Sequence, residues 1–364
     1  MPSALVREDH ISRVVARSVN SVRLIALAPG GDQSDLVVLI DRDQSMRHPT
    51  FRALTCGIDV NAKPETVPAR FEVIDERFAG CRGDSRIERL YDGCRWAEGP
   101  VYVPAGRYVV WSDIPNDRML RWDEMSGAVG VFRQPSGFAN GHTLDGHGRL
   151  VSCEHGNRRV TRTEHDGSIT VIADRFEGKQ LNSPNDVVVR SDGSIWFTDP
   201  AYGIDSDYEG HRATSDIGSC NVYRIEPTTG EVASIGDDFE RPNGLAFSLD
   251  ESHIYIADTR RNHIRVFPVS KRGNLGKGRL FAECTAGHFD GIRLDDAGRV
   301  WAGVGDGVHC FERDGTLIGK IHLPEDAANL TFGGPQRNRL FITATTSLYS
   351  IRFNVNGALP VYSV

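Results

Sequence analysis

No apolar run in the 364-residue chain approaches the ~20 residues needed to cross a bilayer, and the longest near the start, Leu36 to Ile40, is far shorter. A membrane-spanning protein is excluded on that ground. Basic residues are in deficit: 42 Lys and Arg stand against 49 Asp and Glu, a formal charge of -7 with a pI of about 6.0. Such a balance argues against a phosphate-tracking surface, so no nucleic-acid partner is expected. The seven cysteines contain no Cys-x-x-Cys pair and are odd in number, which speaks against a zinc ribbon or a complete disulfide framework. A reducing, cytoplasmic setting is the expectation. Also missing are a G-x-S-x-G elbow, a P-loop and an H-E-x-x-H helix, and with them any support for a serine hydrolase, a nucleotide enzyme or a zincin.

What the chain does have is turn formers, with 38 Gly and 17 Pro in a sequence that is 39% hydrophobic and 25% charged. This is a soluble globular composition rich in turns. Residues 1–69 read differently from the rest. Their arginines are scattered through polar sequence, Leu24 to Ala28 is too short for a secretory apolar centre, and Glu8-Asp9 argues against a transit peptide. They are expected to be a poorly ordered extension without chemistry, or a stretch upstream of the true start, with Met46 as an alternative start.

From Trp96 onward the sequence repeats with a period of about 40 to 60 residues, and repeats decide architecture first. Six unit starts are visible: Ala97-Glu98-Gly99, Ala139-Asn140-Gly141, Pro184-Asn185-Asp186, Pro242-Asn243-Gly244, Phe289-Asp290-Gly291 and Ala328-Asn329-Leu330. Each is followed by a hairpin turn and a second strand (Arg107 to Ser112 and Ile195 to Thr198 are examples), then by a third such as Val222 to Ile225. Short antiparallel sheets at this spacing, without intervening amphipathic helices, predict an all-β protein, a β-propeller over residues 70–364. Phe71 to Ile74 is expected to close the ring as the outer strand of the last blade.

In a propeller the innermost strands begin at one end of the central channel, so Glu98, Asn140, Asn185, Asn243, Asp290 and Asn329 should converge there. Asn-Gly and Asp-Gly are ordinary turn dipeptides taken singly. Six polar residues at one register instead suggest a shared ligand, because burying them unpaired is unfavourable. Every donor is a hard oxygen, which suits one divalent metal: Ca²⁺ first, Mg²⁺ or Mn²⁺ next, Zn²⁺ less expected. Glu98 and Asp290 would balance its charge, and Asn185 and Asn243 would complete the cage.

Glu98-Gly99-Pro100, Ser183-Pro184-Asn185-Asp186-Val187, Arg241-Pro242-Asn243-Gly244-Leu245-Ala246-Phe247-Ser248 and Asp290-Gly291-Ile292-Arg293-Leu294-Asp295 together resemble the motifs of the gluconolactonase, regucalcin (senescence marker protein) and luciferin-regenerating-enzyme family, from about Phe71 to the C-terminus. The resemblance implies a six-bladed propeller with one catalytic divalent metal held at Glu98, Asn185, Asn243 and Asp290, and it implies that Asp290 also handles the proton. Regucalcin-like members carry an Arg as a sugar contact two residues before the first of these Asn positions; this chain has Ser183 there. The implied activity is hydrolysis of a small-molecule sugar lactone to the aldonic acid. A metal-dependent esterase or phosphotriesterase and a noncatalytic calcium-binding propeller are the alternatives, and the oligomeric state is open.

Further substrate-binding candidates surround this set. His142 lies two residues beyond Asn140 and by period-2 alternation should face the same side. Asn140 and Asn329 occupy the remaining ring positions, Glu154 and His155 follow in the next strand and turn, and Tyr202 opens a loop running to Ser219, long enough to act as a lid.

Overall fold

Hydrophobic alternation and Asp-centred turns build the same small sheet over and over. In Asp145-Gly146-His147-Gly148-Arg149 and again in Asp295-Asp296-Ala297-Gly298-Arg299, the Asp carboxylate accepts backbone N–H groups two and four residues on, at 2.8 to 3.0 Å. The Asp therefore folds its own turn, and a strand follows at once. The computed structural model describes residues 64–359, together with four strands before residue 64. Two compact units, Met1–Lys63 and Pro64–Val364, divide the chain.

Pro64–Val364 is a six-bladed propeller. Blade 1 comprises Ala97–Val103, Tyr108–Asp113, Arg118–Asp123 and Val129–Arg133. Blade 2 comprises Ala139–Leu144, Leu150–Glu154, Arg159–Thr163 and Ile169–Ala173. Blade 3 comprises Val187–Val189, Ile195–Asp199, Asn221–Ile225 and Val232–Gly236. Blade 4 comprises Pro242–Phe247, His253–Asp258, His263–Pro268 and Arg279–Glu283. Blade 5 comprises Ile292–Leu294, Val300–Val304, Gly307–Phe311 and Leu317–His322. Blade 6 comprises Ala327–Gly333, Arg339–Ala344 and Ser347–Arg352. The innermost strands line the channel, each beside that of the next blade. Apolar clusters fill the spaces between blades, with Trp111, Trp196 and Trp301 fully buried on the second strands of blades 1, 3 and 5.

Ring closure differs from the expectation. Arg86–Asp92 completes blade 6, pairing with Ser347–Arg352, and Glu65–Pro68 adds outside it. The segment expected to close the ring, Phe71 to Ile74, instead contributes Arg70–Val73 to the outer edge of blade 5 beside Leu317–His322. Phe71 packs there against Phe78 and Phe353, at 6.2 and 6.1 Å between ring centroids. Phe78 is fully buried, and Gly319 beneath it has no room for a Cβ, which would lie 2.2 Å from the Phe78 ring. Phe71 is held on blade 5 by this aromatic packing with residues distant in sequence, which its short local pattern does not reveal. Because Glu65–Pro68 belongs to blade 6, the propeller begins before residue 70.

Within Met1–Lys63, the strands Val14–Val19, Val22–Leu27, Val37–Ile40 and Leu54–Thr55 pair antiparallel in chain order. The expected loose extension and the Met46 start otherwise lie outside the described residues. Since the propeller is closed by its own strands, deletion of residues 1–63 is expected to leave the melting temperature of the propeller unchanged. A lower midpoint in thermal denaturation would show that blade closure draws on that segment.

Candidate active site

A one-residue bulge marks the start of four inner strands, between Glu98 and Val101, Ala139 and His142, Pro242 and Leu245, and Ala327 and Asn329. Bulges re-aim side chains and interrupt pairing, and here they fall at the ring positions singled out from the repeats. The glycines that follow are not turn glycines. A Cβ on Gly141 would stand 2.5 Å from the Asn185 carbonyl, and one on Gly244 2.5 Å from that of Asp290. Backbone bonds from Gly141 to Asn185 O and from Gly244 to Asp290 O, 2.8 and 3.2 Å, take up the space instead. The Asn-Gly pairs therefore serve the close approach of neighbouring blades at the channel.

Of the six ring residues, Glu98, Asn140, Asn185, Asn243 and Asn329 are buried, and neighbouring strand starts meet closely, a Cβ on Gly99 lying 2.0 Å from Asn140 O and one on Gly291 2.2 Å from the Asn329 side chain. Glu98 receives the Gly99 N–H at 2.7 Å. Burial and the facing charge of Asp290 push its carboxyl well above the ordinary range. Asp290 is pushed up as well, by burial first and then by the charges of Glu209 and Asp186. The Asn243 amide donates to Thr259 Oγ1 at 3.0 Å, and Thr259 donates on to Phe289 O at 2.8 Å. This orients the Asn243 side chain and leaves its Oδ1 buried without a partner, as is Asp290 Oδ1. Tyr202 stands close by, held next to Thr259, Asn243 and Asp290, its hydroxyl buried and unpartnered.

Aspartates at the ends of second strands hold the starts of inner strands in place. Asp113 accepts the Arg95 N–H, Asp199 those of Asn182 and Ser183, and Asp258 those of Glu240 and Arg241, all at 2.8 to 3.0 Å. Full burial raises Asp199 to about 7 despite those two donors. Glu154 ends its strand in the same place but bonds Arg133, Asn157, Arg159 and Thr161 in the wall of a cavity of about 280 Å³. Its oxygens are thus engaged by neighbouring side chains. His142 is also engaged, with Nε2 2.8 Å from Ser112 Oγ and Nδ1 2.9 Å from Ser152 Oγ. Burial lowers it to about 3, a neutral ring wedged between blades. The bulge after Ala139 breaks the alternation that placed it beside Asn140. His155 does reach the ring, its Nε2 3.2 Å from the Asn140 amide.

Sequence reasoning missed Asp186 and Arg293, which pair across the channel at 3.1 Å, as well as Glu209, Thr259 and the aspartate clamps. Asp186 could have been found from its place directly after Asn185; Glu209 lies in a loop with no repeat to mark it. Ser183, where the resemblance has an Arg, is fully buried and ties down the loop between the second and third strands of blade 3: its hydroxyl donates to Pro200 O at 2.6 Å and receives the Gly203 N–H at 3.0 Å.

A six-bladed propeller whose inner strands present two carboxylates and a set of amides at one end of the channel defines a class of small-molecule site. Residues 96–346 match the SMP-30/Gluconolactonase/LRE-like region, and the chain belongs to that family. It is 30% identical over 301 residues to the gluconolactonase of Zymomonas mobilis, covering 74% of this chain and 82% of that protein. It is 29% identical over 270 residues to a pentonolactonase of Haloferax volcanii, covering 71% and 84%. The solved structure of a gluconolactonase from Xanthomonas campestris superimposes with a TM-score of 0.74 at 38% identity, over 80% of this chain and 96% of that one.

Proposed function

We propose that the protein is a metal-dependent lactonase that opens a sugar lactone to the aldonic acid. The observation that supports this most is the pair of unpartnered oxygens, Asn243 Oδ1 and Asp290 Oδ1, in a buried ring of oxygen donors. Burial and neighbouring negative charge disfavour ionisation of both carboxyls, Asp290 acting on Glu98 and Glu209 and Asp186 on Asp290, and a divalent cation relieves that. Among the described residues no three His, Cys, Asp or Glu side chains group as a metal cluster. The donor set is half amide, which fits a hard cation, Ca²⁺ ahead of Mg²⁺, Mn²⁺ or Zn²⁺. Glu98, Asn185, Asn243 and Asp290 would hold it, and when bound it supplies Lewis acidity at the ring carbonyl.

The chain's own groups do the rest. Asp290 takes a proton from water as that water attacks the carbonyl carbon. The bond from that carbon to the ring oxygen then breaks, and the same carboxyl returns the proton to the departing oxygen, leaving a hydroxy acid. Tyr202 offers its free hydroxyl to the substrate, and Asn140, His155 and Asn329 line the approach. The six described cysteines are free, which fits a reducing compartment such as the cytoplasm. A pH-indicator assay over a lactone panel, with an ester and a phosphotriester alongside and metal content measured in parallel, tests the reading. Turnover of lactones with about one divalent ion per chain supports it, and activity confined to the other two substrates overturns it.

A pH dependence follows from the raised carboxyls of Glu98 and Asp290. Without metal, the folded chain keeps protons on them that the unfolded chain has released. The penalty is absent at low pH, grows as pH rises above the ordinary carboxylate range, and is full once both groups ionise in the fold. The chelated protein is therefore expected to melt at a higher temperature at pH 5 than at pH 8, with the difference shrinking on addition of metal. A melting temperature flat with pH in chelator would contradict it.

A further inference from the structure

The loop between Ile195–Asp199 and Asn221–Ile225 forms a cap. It opens with the single-turn helix Tyr202–Asp205 and folds back on itself through His211 N–H to Gly203 O at 2.9 Å and Ala213 N–H to Ile204 O at 3.0 Å. Gly210 sits so close to Gly203 O that a Cβ would lie 2.3 Å from it. The cap touches blades on three sides. Tyr208 donates to Arg95 O at 3.3 Å with the Arg95 guanidinium 4.9 Å over its ring, His211 meets the Phe138 ring at 5.1 Å, and Asp205 pairs with Arg241 at 2.9 Å.

Glu209 hangs from this cap toward the ring. Its side chain is only 22% exposed, and the Nδ1 of His155 lies 3.9 Å away, too far for a hydrogen bond. Burial keeps His155 neutral, lowering it to about 4, so no cation answers the carboxylate there. Glu209 is itself raised to about 7, by burial and then by Asp205. Of the charges that Asp290 feels, that of Glu209 acts most strongly. The cations of this region are already committed, Arg293 to Asp186 and Arg241 to Asp205. The Glu209 carboxylate, partly exposed and with no Lys or Arg among the described residues paired to it, is open to a hydroxyl donor, and beside it the Nδ1 of His155 is buried without a hydrogen-bond partner.

On the lactonase reading, we infer that Glu209 is a specificity-determining residue: it accepts hydrogen bonds from the hydroxyls of neutral polyhydroxylated lactones and repels lactones that carry a phosphate or carboxylate. A hydroxyl held between Glu209 and the ring gives the carboxylate its donor. An anionic substituent brought beside Glu209 meets its like charge.

The test compares glucono-1,5-lactone with its 6-phosphate in the full-length, metal-loaded protein and in Glu209→Gln, which keeps the size and one acceptor oxygen but removes the charge. The wild type should prefer the neutral lactone. In the variant the preference, as a ratio of kcat/KM values, should fall about tenfold or more, chiefly through KM, while the melting temperature does not fall. An unchanged ratio in an active variant overturns the inference, as does a wild type that favours the phosphorylated substrate, or equal losses of kcat on both lactones. A wild type inactive on every lactone is a different result: it ends the lactonase reading, and this inference with it.

Discussion

Asp290→Asn is expected to lower kcat for gluconolactone by at least ~10²-fold, the low end for loss of general acid–base help. The substitution keeps the volume and one side-chain oxygen but removes a negative charge and the group that takes the proton. No packing changes, and the negative charge of Asp290 that raises the Glu98 carboxyl disappears, so the melting temperature should hold or rise. Glu98→Gln is the informative companion. On the proposed mechanism Glu98 binds rather than moves a proton, one oxygen already taking the Gly99 N–H, so its loss should appear in metal affinity and be recovered in part by excess metal. Recovery of Asp290→Asn to near wild-type turnover by added metal alone would reduce Asp290 to a ligand.

Dialysis against a strong chelator is expected to abolish hydrolysis, and Ca²⁺, Mg²⁺, Mn²⁺ and Zn²⁺ should restore it to different degrees. Full turnover in a demonstrably metal-free preparation would sink the proposal. Asn185→Ala and Asn243→Ala each delete one oxygen donor without altering charge, so metal affinity should fall by more than the ~10–100-fold typical of losing an outer-shell partner. Thr259→Val tests that outer shell directly, because its hydroxyl fixes the Asn243 amide. It should weaken metal binding within that same range, measured by calorimetric titration of the chelated protein.

The propeller and the ring of polar residues were legible in the sequence because each is written six times. A strand start that carries Glu, Asn or Asp where an apolar residue belongs is weak evidence once and strong evidence at one register, and Glu98, Asn185, Asn243 and Asp290 were singled out as candidates that way. Residues that occur once escaped. Arg86–Asp92 carries no alternation that would mark it as the closing strand, and Phe71 goes to blade 5 through packing against Phe78 and Phe353 and pairing with Leu317–His322.

Tertiary structure alone decided which polar residues are free to act. Alternation placed His142 beside Asn140, but a one-residue bulge turned it between two serines, and Glu154 was drawn off by Arg133 and Arg159. Glu209 had no motif to announce it and gained its position from a loop that folds back over the channel. The sequence by itself determined the repeat, and so the fold and the inner ring, because periodic patterning survives without long-range information. Which carboxylates are paired and which left unpartnered depends on contacts between blades and between the cap and the ring, and these exist only once the chain has closed.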